Sequence, residues 1–280
     1  MTGPTDRATS ARFALGDAAK HLGADAAATF VGHEDEWWVI PILTGLGRHA
    51  RASAPALVAK LEAQLAKPSQ PALHELVLAL GAVGGPVAWE ALERLAATNE
   101  GVAIHLPGFG KEATPALVRL LAAPLAQDVH QALLDGFDSR SAPDPSLAPA
   151  VLRFLDSPNP RIRLVAISAA AAFELDHATT VQLASVFIAC SAEIRPFWRT
   201  LHDAAHRMAP VWASRIDHES DIVAMRCIEA LGWTREYGED YVPALRALAT
   251  RLSTASLRGR FALEAAERIS DPEPIFRPDS

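Results

Sequence analysis

The chain has 280 residues, half of them apolar, which is enough to bury a core as one elongated domain or two compact ones. A net charge of −7 and a pI near 5.8 argue against nucleic acid as the main partner. Two distant cysteines, Cys190 and Cys227, make neither a disulfide framework nor a CxxC pair, and fit a reducing, cytoplasmic setting.

Residues 1–12 carry no apolar stretch of the signal-peptide kind, and no uninterrupted apolar run reaches the length of about 18 expected of a membrane span. Alanine and leucine dominate while Tyr and Phe are few, so helix is favoured over strand throughout. A first helix is expected at about 9–30, as a cap.

From residue 34 onward the chain resembles itself. Ile42 to Gly47, Leu76 to Gly81, Ile104 to Gly110, Ala132 to Asp138 and Ile228 to Gly232 each end an apolar stretch on a small residue, a large one and glycine, or a near relative. The anchors recur about every 28 to 36 residues, with one larger gap that holds two units, a period that marks a helical repeat array. The glycines, Gly45, Gly47, Gly81, Gly84 and Gly85 among them, are expected to end first helices, where a left-handed residue is tolerated. A second helix follows each anchor and opens on proline, as at Pro55, Pro115 and Pro243, where the missing N–H costs nothing. Ser53, Ser69 and Thr114 stand where N-caps would.

The pattern predicts helix pairs at 34–47 with 54–66, 70–82 with 86–98, 101–110 with 114–123, 127–138 with 146–156, 160–174 with 178–190, 194–208 with 210–216 and 219–233 with 241–252. A last helix falls at 256–269. The domain reading is an N-terminal extension and capping helix over 1–33, a repeat array over 34–270, and an extended, proline-containing tail over 271–280.

Leu155 to Ala166 reads Leu-Asp-Ser-Pro-Asn-Pro-Arg-Ile-Arg-Leu-Val-Ala. It resembles a HEAT repeat, with Asp156 in the loop, Ile162-Arg163 opening the next helix, and the small residues Ala166 and Ala169 inside it. Leu257-Arg258 opens the last helix in a similar way. The other units match by their glycine-ended first helices and lack the Asp and Arg. The resemblance covers roughly 34–269, is stronger in pattern than in identity, and is closest to the short bacterial HEAT-like repeats. It implies an all-α, right-handed α-solenoid of about seven to eight HEAT-like helix pairs, with Asp156 and Arg163 bonding to backbone and to each other between units.

Several constellations bear on chemistry. His74-Glu75 resembles the His-Glu dipeptides that supply iron ligands in the deoxyhypusine hydroxylases, a HEAT-repeat di-iron family. Such a site needs several dipeptides in register. His33-Glu34 and His218-Glu219 lie about two turns too early, while His105 and His130 are followed by Leu and Gln. His202 and His206 have the i, i+4 spacing of a zinc pair, but Asp203 replaces the glutamate a metalloprotease would use, and no third ligand is evident. Nothing resembles GxSxG, a P-loop or GxGxxG. No catalytic set, metal site or cofactor is assigned.

Of the adjacent pair Trp37-Trp38, one indole is expected to be part-exposed or to cover the cap helix, because neighbours on a helix cannot both face one core. The stretch 193–215 departs most from the repeat. Its Arg195, Trp198, Arg199, His202 and Trp212 are the candidate partner-binding residues, since arginine and tryptophan anchor interfaces. The primary reading is a non-catalytic protein-binding scaffold or regulator that uses the concave face of a solenoid. The alternatives are a DNA-lesion binder resembling the HEAT-like alkylpurine DNA glycosylases, and a metal-dependent HEAT-repeat enzyme. A resemblance to the HEAT-like bilin lyases rests on no specific residue.

Overall fold

In the computed structural model, residues 14–34, 36–67, 72–137, 143–190 and 198–270 are described, the side chains of 198–205 and 235–236 excepted. The described residues are helical, with no strand among them. No helix among them is long and apolar enough to cross a membrane. The chain divides into two compact units, residues 1–150 and 151–280.

The first unit holds α1 (14–19), α2 (Ala24–Phe30), α3 (Val39–Leu46), α4 (Ala54–Leu65), α5 (Leu73–Val83), α6 (Gly85–Ala96), α7 (Glu100–Ala103), α8 (Thr114–Ala122), α9 (Gln127–Asp135) and the start of α10 (Ala148–Leu152). Short 3-10 turns cover Gly47–Ser53, Leu106–Glu112 and Pro145–Leu147. The first helices of successive pairs pack on one another, α3 on α5, α5 on α7 and α7 on α9. The second helices do the same, α4 on α6 and α6 on α8. Leu43, Leu76 and Leu80 from one row, and Leu57, Leu61, Leu92, Leu117 and Leu121 from the other, are completely buried between them. Each such leucine contributes about 1.5–3 kcal/mol relative to leaving it in water.

Two kinds of glycine occur where the sequence suggested one. Gly47 and Gly84 follow α3 and α5 with φ of 54° and 63°, conformations that L side chains rarely adopt, and there the chain reverses. Gly45 and Gly81, expected to end helices, lie inside them and permit close packing instead. A β-carbon on Gly45 would sit 2.0 Å from the Gly16 carbonyl oxygen, and one on Gly81 would sit 2.0 Å from the Phe109 ring. Gly136, one residue past α9, meets the Ile104 carbonyl oxygen at 2.2 Å in the same sense.

Other local expectations change too. Prolines do open second helices, at Pro55, Pro86, Pro115 and Pro243. Ser53, however, makes no capping bond, because the preceding 3-10 turn runs straight into α4. Thr114 lies within α8 and donates to Asp144 at 3.2 Å. Ser69 lies outside the described residues. Asn99 and Asn159 are caps in fact, accepting from the Val102 and Arg161 N–H groups. The helix expected over 101–110 stops after Ala103, and Pro107 falls in the first turn of the following 3-10 segment. The cap expected over 9–30 is two helices separated at Gly23, the N-cap of α2.

The second unit contains the 3-10 turn Arg153–Asp156, α11 (Pro160–Ala171), α12 (His177–Cys190), α13 (Trp198–Ala213), α14 (Asp221–Gly232), the 3-10 segment Arg235–Tyr241, α15 (Val242–Leu252) and α16 (Leu257–Ser270). Helices α11 and α12 pair, α13 packs on both, α14 packs on α13, and α16 lies against α14 and α15. A break was expected near Pro210, yet α13 runs through it. Pro210 is exposed while Met208, Ala209, Val211 and Trp212 are buried. Burial of that stripe outweighs a cost of about 3 kcal/mol for proline inside a helix. The tail, 271–280, lies outside the described residues.

Candidate binding site

The first unit carries a cavity of about 230 Å³ between α1, α3 and α5. Its position follows from the close approach at Gly16 and Gly45, which brings α1 against α3. Beyond that crossing α1 supplies Asp17, and Lys20 follows just past its end; the two pair at 2.7 Å on the surface. Opposite them α5 supplies His74, Glu75 and Leu78, while Ile40, Pro41 and Thr44 of α3 line the cavity between. The Thr44 hydroxyl donates to the Ile40 carbonyl at 2.9 Å, so its proton is already engaged. The result is an apolar pocket with charged groups around it, the common form of a site that orients an amphipathic group.

His74 also reaches the next first helix. Its Nδ1 lies 3.2 Å from Nε2 of His105, and the ring centroids are 4.6 Å apart. His74 is exposed and His105 half-buried. Burial, and then the neighbouring His74, hold the His105 pKa below the ordinary histidine range. His105 therefore favours its neutral form, with one ring nitrogen available as an acceptor. Among the described residues no group of three or more His, Cys, Asp or Glu is placed to hold a metal ion. The pocket residues of α1 and the His74–His105 contact were missed in the sequence. The 31-residue spacing of the two histidines, close to the repeat period, was the available signal.

A second surface lies before α3. Trp37 is 36% exposed and Trp38 47%, so both indoles, not one, are accessible. The Lys60 ammonium stands 4.2 Å from the centre of the Trp37 ring. Trp38 packs edge-on to Phe30 at 6.3 Å, and its Nε1–H donates to Glu36.

Of the candidate partner-binding residues in 193–215, only Trp212 has a described side chain. Arg195 lies outside the described residues. Trp198, Arg199 and His202 begin α13, and their side chains are outside the described set, so the His202–His206 pair is described at His206 alone. Trp212 is a core residue: fully buried, it packs 5.6 Å from Phe187 and donates to the Ala184 carbonyl at 3.3 Å. A buried indole offers nothing to a partner, and its place in the partner-binding set is corrected accordingly. The arginines nearby bond to neighbouring segments. Arg207 donates to the Phe173 carbonyl and Arg215 to the Ser185 hydroxyl.

Arg163 and Arg258, singled out by the repeat resemblance, both bond to backbone, at the Ser157 and Ile216 carbonyls. Asp156 is exposed. No protein-family model matches the chain, and no curated protein matches it.

Proposed function

We propose that this chain is a non-catalytic, protein-binding scaffold or regulator built as a right-handed α-solenoid of HEAT-like pairs. The observation that carries the reading is the succession within the first unit, first helix on first helix and second helix on second helix. Stacked pairs of this kind spread recognition over many side chains of one helix row. The second helices α4, α6 and α8 are the row that would line a concave face. They expose Val87 and Val118, at 48% and 42%. Their charges are paired across the row, Arg94 with Glu62 and Arg119 with Glu93. A row neutralised in this way suits a protein surface better than a polyanion. The cytoplasm is the proposed setting, where the free thiols of Cys190 and Cys227 persist.

The test is capture from native lysate at high salt with nuclease, using the intact chain, the double variant Val87→Asp/Val118→Asp, and the double variant Trp37→Ala/Trp38→Ala. A stoichiometric protein held by the intact chain and lost with the valine variant supports the reading. Loss with the tryptophan variant alone moves the contact to the surface before α3. Recovery of nucleic acid alone, released by salt, overturns the reading in favour of the DNA binder.

A further inference from the structure

The His74–His105 contact has the geometry of a ligand pair. Two metal–nitrogen bonds of about 2.0–2.1 Å, opened to a tetrahedral angle, place their nitrogens about 3.3–3.4 Å apart. The two ring nitrogens here, His74 Nδ1 and His105 Nε2, are 3.2 Å apart. They come from different helical segments: His74 from the first turn of α5, and His105 from the turn after α7. Packing of α5 on α7 therefore sets their separation. We propose that His74 and His105 form an open two-imidazole site for a divalent late transition metal, with zinc as the probe.

The physical case has two parts. Imidazole nitrogen is a preferred donor to zinc, copper and nickel. In the metal-free pair one ring donates its N–H to the other. When a metal takes both facing nitrogens, the donor ring changes tautomer, its proton passing through water from the facing nitrogen to the other one, so two neutral rings bind without a net change in protonation.

Two protein ligands leave the remaining positions to water or to a ligand atom. His74 also lines the cavity between α1, α3 and α5, so a donor atom of a group seated there stands next to the metal. A site of this kind exchanges its metal readily, unlike a closed structural site with four protein ligands.

The experiment is isothermal titration of the full chain, without a histidine tag, with zinc chloride at pH 7.5. The variants are His74→Ala, His105→Gln and His206→Ala, each checked for helix content by circular dichroism. Loss of an outer-shell partner alone weakens metal affinity by about tenfold to a hundredfold, so removing one of two ligands should weaken it at least about tenfold. One zinc per chain, weakened to that degree by His74→Ala and by His105→Gln and unaffected by His206→Ala, is the result expected. No zinc uptake, or uptake that survives His74→Ala, overturns the proposal. His74 is exposed, so that variant decides the matter even where His105→Gln fails to fold.

Discussion

The two units use arginine in different ways. In the first, Arg94 and Arg119 reach across the second-helix row to glutamates, with Arg119 gripping Glu93 through two bonds of 2.6 and 2.5 Å. These guanidinium groups are largely exposed. In the second unit Arg251 and Arg260 make exposed pairs with Asp217 and Glu264, but four other arginines reach main-chain oxygen. Arg163, Arg207, Arg226 and Arg258 donate to the carbonyls of Ser157, Phe173, Ile188 and Ile216. The Arg258 side chain is only 15% exposed and also pairs with Asp221 at 3.2 Å. A carbonyl near a helix end lacks an intrahelical partner, so a half-buried guanidinium that serves it does work water does poorly there. An exposed pair replaces hydration that was already adequate. Arginine thus makes surface pairs in both units, and in the second it also forms part of the frame.

The largest expected effect lies in the cores. Trp212→Ala removes a fully buried indole and should destabilise the second unit by about 3–5 kcal/mol. Thermal or urea unfolding followed by circular dichroism measures it, and a loss below about 0.5 kcal/mol, the usual bound for a surface change, would return Trp212 to the surface.

Next come the close approaches. Gly136→Ala places a β-carbon 2.2 Å from a main-chain oxygen, and Gly232→Ala places one 3.0 Å from Ala265. The first should cost about 1–3 kcal/mol and the second less, because a 3.0 Å contact relaxes with a smaller shift. Equal losses would mean that the two helix crossings are equally yielding.

The arginine comparison itself is sharpened by a matched pair. Arg258→Ala should cost about 1.5–3 kcal/mol, against about 0–1 kcal/mol for Arg119→Ala. High salt should narrow the effect at Arg119 more than at Arg258.

The smallest expected effects are titrations. The His105 pKa is lowered in the fold, so the unfolded chain binds the proton more tightly. Stability is full above about pH 6.5 and declines as pH falls from there toward the folded value. His105→Gln should flatten that decline in a pH series of unfolding midpoints. Cys227 gives an independent readout in the second unit. Burial pushes its thiol pKa up to about 11, so at pH 8 a thiol reagent should spare it until the protein is unfolded.

Much of the fold was readable because its signals are local. Proline in the first turn of α4, α6, α8 and α15 acts through its own φ and its missing N–H, so position alone reveals it. The glycines were harder. Gly81 and Gly84 lie three residues apart, and both look like helix terminators; only the ring of Phe109 shows that the first is a packing surface. The pocket was hidden for a related reason. Asp17 and Lys20 gain meaning from where α1 crosses α3, a tertiary fact that no periodicity records. Trp212 misled because the stretch 193–215 mixes arginine, histidine and tryptophan as an interface would. Helix α13 resolves the mixture by turning that indole inward while Arg207 and Arg215 serve neighbouring segments.

The contacts at Gly45, Gly81, Gly136 and Gly232 have a consequence for how such a chain can change. Each contact asks for one small residue on one side and little of the other: a main-chain oxygen, a ring edge or an alanine suffices. A joint made of interlocking large side chains must alter both partners together, whereas this one tolerates drift on the far side as long as the glycine stays. Neighbouring units can therefore diverge freely, and the chain's likeness to itself survives mainly in its smallest residues.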